Sequence, residues 1–492
     1  MSTQILNIDI IYEIVNQLKD NSFSLFNFLL VNKQICQIAV SLLWKNPFKF
    51  CKFNINIDYK CYSIIQIYIT CFNEEERTKI NSIFDKVNFS TEFTKSYDKT
   101  LLFEYGKYLK EFKFHELEKS ISIWYNTINT TNDKSYLATK FKKCIMHSIM
   151  RQCKKLNCME WNVLFMDEYK LETMNHKFTE LENLSLVFDN RKNKKINSNF
   201  KNCCQNLFSL TFDYLDFAKS YLRKNHLDNV KILTNEVMSL VELQHDLKEF
   251  IFDHRYSEEN EEEKIEYDKY FDDMITFILE LRANSLTKVL LYFVDFNNIS
   301  FDFIEKCINL EILGLRHNKG LSLENIDPYT TFKNLKLLDL SYNEWSSEIN
   351  ILIIKKAEDN LTSLIIGEGI NNRIINDDTL IILTKYCPKL NSLSFSKISK
   401  KHLNMVFSYI ININLITLQF DQIRVGGTVM KSENFLNYIK FQTSLLNLGI
   451  GKNDDYWHYY NKSRINFEKL MKQNNIRIIG YRPDDLKVKR FL

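Results

Sequence analysis

The sequence has little glycine and proline, with 10 glycines and 4 prolines among 492 residues, against usual shares of about 7% and about 5%. Hydrophobic residues make up 45% of the chain and charged residues 26%. This is an ordinary globular balance, so the intrinsically disordered and fibrous classes are excluded. The length suits about three average domains or one extended array of repeats.

The chain also lacks a strong charge of one sign. Its net charge is +4 and its pI about 8.3, which is too weak and too dispersed to predict a nucleic-acid or membrane partner. The first residues, MSTQILNIDIIYE, contain acids and no basic segment, so no secretory signal is readable. Residues 403–420 are uncharged but interrupted by asparagines and Gln419, which favours helix, turn and strand over a membrane span. We expect an intracellular protein, cytoplasmic or nuclear.

Motifs of catalysis and of cofactor binding are missing as well. The sequence contains no G-x-S-x-G, P-loop, G-x-G-x-x-G or H-E-x-x-H, so we expect neither an enzyme nor a bound cofactor. Cys144, His147, Cys153 and Cys158 lack the C-x2-C pair of a zinc site, and we expect no metal. Eleven cysteines without a signal peptide favour reduced thiols over disulfides.

A triplet of apolar positions, L-x-x-L-x-L or close variants, recurs along the second half of the chain. The triplets begin at Leu286, Leu310, Leu335, Leu361, Leu390, Leu415, Leu445 and Ile476. Each segment has the period of 2 that a strand needs. Between them lie helical patterns such as residues 377–387, which Pro388 ends. The pattern predicts an α/β fold, a curved leucine-rich-repeat solenoid with parallel strands on the inner face and helices outside.

Earlier repeats are predicted from the same triplet. They begin at Leu156, Leu181 and Leu207, and more weakly at Leu227 and Leu247. The step from Leu247 to Leu286 is too long for one repeat, so residues 257–273 are interpreted as an acidic insertion that forms a loop.

Cysteine occurs three residues before the leading leucine in four repeats, as Cys153, Cys204, Cys307 and Cys387. This spacing resembles the cysteine-containing leucine-rich repeats of F-box proteins, over roughly residues 135–492. The resemblance implies that each thiol packs at the end of a helix and has a structural role.

The first fifty residues predict three short helices. Residues 5–18 place Leu6, Ile10, Ile14 and Leu18 at helical spacing, and two further apolar runs follow before Pro47. Helices this short cannot bury so much Leu, Ile and Phe among themselves, so they need a partner surface.

This segment, residues 1–48, resembles an F-box. LNIDIIYEIVNQL, LFNFLLVNKQICQIA and LLWKNPF follow the family pattern, except that Asn7 replaces the usual Pro and Asp9 replaces Glu; Asn7 can still cap a helix. The resemblance implies a non-catalytic substrate receptor of an SCF-type cullin-RING ubiquitin ligase. Its F-box binds the SCF adaptor, and its repeats hold an unknown target protein for ubiquitination.

Two sets of contact residues are expected, one from the F-box resemblance and one from the inner face of the predicted solenoid. The adaptor-binding residues are Leu6, Ile10, Ile14, Leu18, Leu25, Leu29, Val31 and Trp44. For Leu29 and Trp44 the alternative is that they close the core of the small domain itself. The target-binding residues of the inner face are Tyr292, Arg316, His317, Asp339, Tyr342, Glu368 and Lys397, since neighbouring strands lie about 4.8 Å apart; the alternative is an ordinary polar face.

Residues 49–134 are interpreted as a mostly helical connector with a helix at residues 74–84. Two other functions stay open. One is a leucine-rich-repeat interaction scaffold without a ubiquitin role, in which the N-terminal helices cap the repeats. The other is a GTPase-activating repeat protein with an exposed catalytic Arg316.

Overall fold

The computed structural model divides into two compact units. Unit 1 comprises Met1–Leu210 with Glu242–His245, and unit 2 comprises Thr211–Val241 with Asp246–Leu492. The structure describes residues 7–51, 59–84, 101–128, 135–162, 176–189, 198–215, 226–255, 261–357, 360–367, 377–396, 400–420, 433–450 and 469–480.

Unit 1 begins with helices and continues as alternating strands and helices. Its helices are α1 (Ile8–Asn16), α2 (Ser22–Phe28), α3 (Lys33–Lys45), α4 (Tyr59–Thr70), α5 (Glu74–Phe84), α6 (Phe114–Ile128), α7 (Ser135–Gln152) and α8 (Ser198–Cys203). Its strands are β1 (Glu111–Lys113), β2 (Cys158–Asn162) and β3 (Asn183–Asp189), and β4 (Ser209–Leu215) crosses the sequence boundary between the units. β1 pairs with β2, and β2 with β3, always in parallel.

Asparagine side chains begin the three N-terminal helices. The Oδ1 atoms of Asn7, Asn21 and Asn32 accept hydrogen bonds from backbone N–H groups in the first turns of α1, α2 and α3, at 3.1, 3.1 and 2.9 Å. Such caps satisfy amide groups that have no partner inside the helix. The expectation that Asn7 caps the first helix in place of proline is therefore confirmed.

Trp44 joins the N-terminal helices to the rest of unit 1. Its ring lies 5.4 Å from that of Tyr68 on α4 and 4.5 Å from that of Tyr105, measured between centroids. Beside it, Lys45 forms a salt bridge of 2.9 Å with Glu111 on β1. One face of α3 is thus part of the core of unit 1.

Strand β1 lies inside the segment that the sequence predicted to be a connector. It pairs in register with β2, with Glu111 opposite Cys158, so the parallel strands begin before residue 135. The sequence LKEFKF carries the apolar triplet here as well, at Leu109, Phe112 and Phe114, and all three side chains are buried, but the repeats predicted from the sequence begin only at Leu156.

Unit 2 repeats strand and helix to the end of the described chain. Its strands are β5 (Glu249–Arg255), β6 (Lys288–Tyr292), β7 (Ile312–Arg316), β8 (Leu337–Asp339), β9 (Ser363–Ile366), β10 (Ser392–Phe395), β11 (Thr417–Phe420), β12 (Asn447–Ile450) and β13 (Arg477–Gly480). Its helices are α9 (His226–Glu242), α10 (Glu261–Arg282), α11 (Asp302–Glu305), α12 (Ser347–Lys356), α13 (Asp377–Tyr386), α14 (Lys400–Ile410) and α15 (Glu433–Phe441).

Strands β5 to β13 are adjacent in chain order and all parallel. Alternate residues such as Leu313 and Leu315 are buried on the helix side, as the apolar triplets require. Parallel strands in chain order with intervening helices confirm the predicted α/β leucine-rich-repeat architecture.

Two predictions about unit 2 are wrong. Leu227 does not start a strand but lies in the first turn of α9, since Val230, Leu233 and Val237 follow with helical spacing and are buried. The described part of the predicted acidic loop, residues 261–273, is instead helical and begins α10. Phe271 with Met274, Ile275 and Ile278 supplies a buried face that holds this acidic segment as a helix.

The four repeat cysteines are buried at helix ends, as expected. Cys153 and Cys204 follow α7 and α8 directly, and their backbone N–H groups donate to Ile149 O and Phe200 O at 3.0 and 3.1 Å. Burial raises the pKa of Cys153 to about 11 and that of Cys307 to about 12. All eleven cysteines are free thiols, which agrees with a structural role for these four.

Candidate functional site

The N-terminal helices carry apolar side chains that the chain itself leaves exposed. These residues are Ile8, Ile10, Tyr12, Ile14, Phe23, Phe26, Leu30 and Val31. Leu30 is 87% exposed and Phe23 75% exposed. Single exposed apolar residues are common on protein surfaces, but eight within 24 residues indicate an interaction surface.

The exposed residues follow helix faces. On α2, Phe23 and Phe26 have the spacing i, i+3, and Leu30 follows in the turn after the helix; on α1, Ile10 and Ile14 have the spacing i, i+4 and line one side of that helix. Both helices pack against α3, whose Ile38, Ala39, Val40, Leu43 and Trp44 are buried. We call the eight exposed residues the N-terminal apolar face.

The predicted adaptor-binding residues divide into three groups. Ile10, Ile14 and Val31 are exposed, and Leu18 and Leu29 are half-buried. Leu25 and Trp44 are buried, at 0% and 8% exposure, so neither offers a surface for direct contact, and for Trp44 the alternative of a core role holds. Leu6 lies outside the described residues.

Sequence reasoning missed five members of this face. These are Ile8, Tyr12, Phe23, Phe26 and Leu30. The helical spacing of Phe23 and Phe26 was a usable signal, but the family pattern selects Leu25 and Leu29.

The inner face of unit 2 differs from the predicted polar patch. Leu290, Tyr292, Leu337 and Ile365 form a buried apolar cluster on this face of β6 to β9. Gly314 on β7 lies opposite Leu290 on β6, and a Cβ at Gly314 would be 2.7 Å from Leu290 Cδ2. The chain therefore fills this part of the inner face with its own side chains.

Tyr292 and Asp339 were predicted to contact a target, and the structure contradicts this. They are only 4% and 1% exposed. Burial raises the pKa of Tyr292, and it also raises the pKa of Asp339 against the opposing effects of Arg316 and Ser341. The Asp339 carboxylate accepts hydrogen bonds from the Ser341 N–H and Oγ–H at 2.9 and 2.6 Å.

Three aromatic side chains stack where β6, β7 and β8 end. The His317 ring lies 4.6 Å from that of Phe293 and 4.7 Å from that of Tyr342, with interplanar angles of 1° and 0°. All three residues have left-handed backbones, with φ of 62°, 55° and 62°. Each such conformation costs a non-glycine residue about 1–2 kcal/mol, and each ring pair returns about 0.5–1.5 kcal/mol.

Arg316 and Ser396 fix the end of this stack. The Arg316 Cζ is 4.9 Å from the centroid of the Tyr342 ring, and the Tyr342 hydroxyl donates a hydrogen bond of 2.8 Å to Ser396 O. Of the predicted target-binding residues, the structure thus brings together Arg316, His317 and Tyr342, which we call the strand-end cluster. Glu368 and Lys397 lie outside the described residues.

Two asparagines beneath the stack were missed by the sequence analysis. Asn318 and Asn343 follow His317 and Tyr342, are fully buried, and donate their Nδ2–H to Leu291 O and Leu315 O at 2.9 and 2.7 Å. They hold the strand ends in place by satisfying carbonyls of the preceding repeat. Asn318 ends the segment LRHN and Asn343 ends the segment LSYN, at the same place in two consecutive repeats. This recurring asparagine was the signal in the sequence.

Metal ligands are not grouped in the described part of the chain, where no set of three His, Cys, Asp or Glu residues could hold an ion. His147 and Cys144 both face Glu76, with His147 Nδ1 3.4 Å from Glu76 Oε1 and Cys144 Sγ 3.7 Å from Glu76 O.

In the same described ranges, no helix has the length and hydropathy needed to cross a bilayer.

Comparison with known proteins gives distant structural likenesses only. No family model and no curated protein matches the sequence. Among solved structures, a leucine-rich-repeat-containing protein from Legionella pneumophila is similar, with 11% identity, 66% of this chain and 82% of that chain covered, and a TM-score of 0.35. A protein from Bacteroides fragilis has 12% identity, 63% and 72% coverage, and a TM-score of 0.29.

Proposed function

We propose that this chain is the substrate-recognition subunit of an SCF-type cullin-RING ubiquitin ligase. In this role residues 1–48 bind the SCF adaptor, and the repeats bind a target protein for ubiquitination. The observation that supports the proposal is the N-terminal apolar face, because an F-box must offer apolar helix surface to a second protein. The resemblance in sequence supplies the identity of that protein.

The energetics of the face suit a stable interface. Burying a Leu, Ile or Phe side chain stabilises a complex by about 2 kcal/mol, and interface energy concentrates in a few large residues. Phe23 and Phe26 on α2 and Leu30 in the turn after it are the most suitable anchors, since each is at least half exposed. Ile10 and Ile14 extend the surface onto α1.

The proposed mechanism requires no catalytic residue in this chain. A target held by the repeats is tethered near the ubiquitin-charged conjugating enzyme, and the rate rises through effective concentration. Such a receptor acts in the cytoplasm or nucleus, as the sequence analysis expects.

Co-expression with the SCF adaptor, followed by affinity purification, tests the proposal. Leu30→Glu is expected to weaken adaptor binding by roughly 30-fold, which corresponds to about 2 kcal/mol. Leu102→Glu is the matched control, because Leu102 is 80% exposed but lies outside α1 to α3. Equal adaptor binding by both folded variants, or no binding by the wild type, would contradict the proposal.

The second candidate is an interaction scaffold whose N-terminal helices only cap the repeats. The packing of Trp44 on Tyr68 and Tyr105 and the Lys45–Glu111 salt bridge favour it, because they make α3 part of the core of unit 1. Capping requires the α3 side of the helices, whereas adaptor binding requires the opposite side. A chain that folds, retains target binding and ignores the adaptor would support the scaffold.

A further inference from the structure

We propose that the turn at residues 327–330 inserts Tyr329 into an apolar, uncharged pocket of the target protein. The inference deepens the proposed function, and it rests on that function only in assuming that the repeats hold a target. Three observations carry it: the exposure of Tyr329, the contacts that fix its backbone, and the balance of charge around it.

Tyr329 is the most exposed large apolar or aromatic side chain in the described part of the chain, at 89%. It lies between β7 and β8, where residues 317–336 are all described and form a short 3₁₀-helix and this turn in place of an α-helix. Ile326 before the turn and Phe332 after it are buried, so the turn is anchored at both ends. Because single exposed residues of this kind are common, the backbone that presents the ring decides whether it is a contact site.

A buried ion pair fixes the backbone of this turn. The Lys356 ammonium on α12 donates to Asp327 O and, at 2.7 Å, to Thr330 O. It also lies 2.7 Å from the carboxylate of Glu305 on α11, which accepts a hydrogen bond from the Asp327 N–H. A buried ion pair is by itself weak evidence for stability. This one holds three backbone groups of a single exposed turn, so it fixes how Tyr329 is presented.

The side chain of Asp327 adds two further hydrogen bonds within the turn. Its Oδ1 accepts from the Tyr329 N–H at 3.0 Å, and its Oδ2 accepts from the Thr330 hydroxyl at 2.5 Å. Association is costly when a loop must be ordered, and a loop that is already fixed avoids this cost. Tyrosine offers a large contact area with only two side-chain torsions and is frequent among the residues that dominate binding energy. The turn therefore has the features of a preformed anchor.

The charges around the turn nearly balance. Within residues 322–334 and on or directly after α11 and α12, the exposed acids are Asp302, Glu324, Asp327 and Glu348, and the exposed bases are Lys306, Lys333 and Lys355. Lys356 and Glu305 neutralise each other, and Glu358 and Asp359 lie outside the described residues. A net charge near zero does not favour a strongly charged partner surface. We therefore expect an uncharged apolar pocket with one hydrogen-bonding group for the phenol hydroxyl.

The contact suits a different protein better than a second copy of this chain. A tyrosine side chain buries about 150–250 Å², whereas a stable dimer interface buries more than about 1,000 Å² in total. A contact of the smaller size can serve as one anchor of a target that also touches other parts of the repeats. The inner face of β6 to β9 is already filled by the chain's own apolar cluster, so the side of α11 and α12 is the more suitable place for such an anchor.

Retention on the immobilised full chain is the first test. The probe is the soluble extract of proteasome-inhibited cells of the source organism, applied to the wild type, to Tyr329→Ser and to Phe441→Ser. Phe441→Ser is the matched control, because Phe441 is an aromatic residue of the same unit that is 70% exposed at the end of α15. We expect at least one protein that the wild type and Phe441→Ser retain and Tyr329→Ser does not.

Titration with that protein, once purified, is the second test. Tyr329→Ser is expected to weaken its binding at least tenfold, and wild-type binding should change less than about threefold between 50 and 300 mM salt. Thr330→Val keeps the ring but removes the hydroxyl that donates to Asp327. A several-fold loss is therefore expected from the loosened turn.

Three results would overturn the proposal: no protein in the extract whose retention depends on Tyr329, equal losses in Tyr329→Ser and Phe441→Ser, or a salt effect of tenfold or more. Dimerisation of the wild type that Tyr329→Ser abolishes, measured by analytical ultracentrifugation, would identify a second copy as the occupant and would also contradict it. Tyr329→Ser should bind the SCF adaptor as the wild type does. Failure of the tyrosine contact with adaptor binding intact thus refutes this inference alone, and absence of adaptor binding refutes the ligase role alone.

Discussion

Replacing Arg151 by methionine is expected to destabilise unit 1 at neutral pH, and much less in acid. Arg151 on α7 holds the buried carboxylate of Glu76 on α5 through two hydrogen bonds, Nε to Oε1 at 2.8 Å and an amino nitrogen to Oε2 at 2.9 Å. The Asn73 N–H donates to Glu76 Oε2 at 3.0 Å, and the Glu76 N–H to Asn73 Oδ1 at 2.8 Å. Glu76 is 3% exposed, so an unpaired charge there is costly.

The magnitude follows from the pKa of Glu76. Burial alone would raise this pKa, but hydrogen bonds from His147, Arg151 and Asn73 outweigh burial and lower it from 4.5 to about 2. A depression of about 2.5 units corresponds to about 3 kcal/mol of stability. Because the folded pKa is depressed, this stability is complete above the unfolded value and is lost as the pH falls towards 2. At pH 3 about 1 kcal/mol should remain.

Urea unfolding of the wild type and of Arg151→Met at pH 7 and pH 3 measures the effect. The difference in unfolding free energy should be clearly smaller at pH 3 than at pH 7, though Arg151 supplies only part of the depression together with His147 and Asn73, and hydrogen exchange should locate it in α5 and α7. Lys79→Met is the control, since Lys79 pairs with Glu75 at the surface and its loss should change little at either pH. A deficit of the same size at both pH values would mean that Arg151 acts by packing, and would refute the electrostatic reasoning.

Urea unfolding also tests three further substitutions. Burial is the main cause that raises the pKa of Asp272 to about 7. The free energy of unfolding of the wild type should therefore fall as the pH rises from 4 to 7. Asp272→Asn should be more stable than the wild type by up to about 4 kcal/mol at pH 8, and by little at pH 4. Lys356→Met leaves Glu305 buried without its partner 2.7 Å away, which should cost about 3–5 kcal/mol. Adding Glu305→Leu should restore only part of the stability, because Lys356 also donates to Asp327 O and Thr330 O. Gly314→Ala forces a Cβ against Leu290 Cδ2 and should cost about 1–3 kcal/mol; a stabilised variant would contradict the packing of the inner face.

The repeats could be predicted from the sequence because their signal is local. A strand such as β7 shows its apolar triplet within six residues, and its partner shows the same triplet one repeat later. The weak triplet at Leu227 failed because LDNVKILTNEV satisfies both a strand pattern and a helix pattern. When a segment fits both patterns, it forms the structure that buries its apolar side chains, and that burial depends on residues distant in sequence.

The candidate site could be predicted only in part, because side-chain direction on a sheet depends on neighbouring strands. Tyr292 and Arg316 lie opposite each other in register, yet Tyr292 is buried and Arg316 is partly exposed. Tyr292 covers Gly314 together with Leu290, a contact that no single repeat reveals. Similarly, the apolar pattern of the first helices could not show which side of α3 faces the core.

The position of the strand-end cluster follows from three consecutive repeats rather than from the repeat pattern as a whole. Phe293, His317 and Tyr342 occupy equivalent places after β6, β7 and β8, and the next two repeats have Glu368 and Lys397 there. One repeat earlier the equivalent residue is His254, but it is buried against Phe271, so the stack begins at Phe293, and the sequence has no ring side chain at the two places after Tyr342. Tyr342, at its last place, reaches Ser396 O at the end of β10, a distance of two strands. The stack is therefore expected to be local to β6 to β10, and substitutions on β11 or β12 should leave it unchanged.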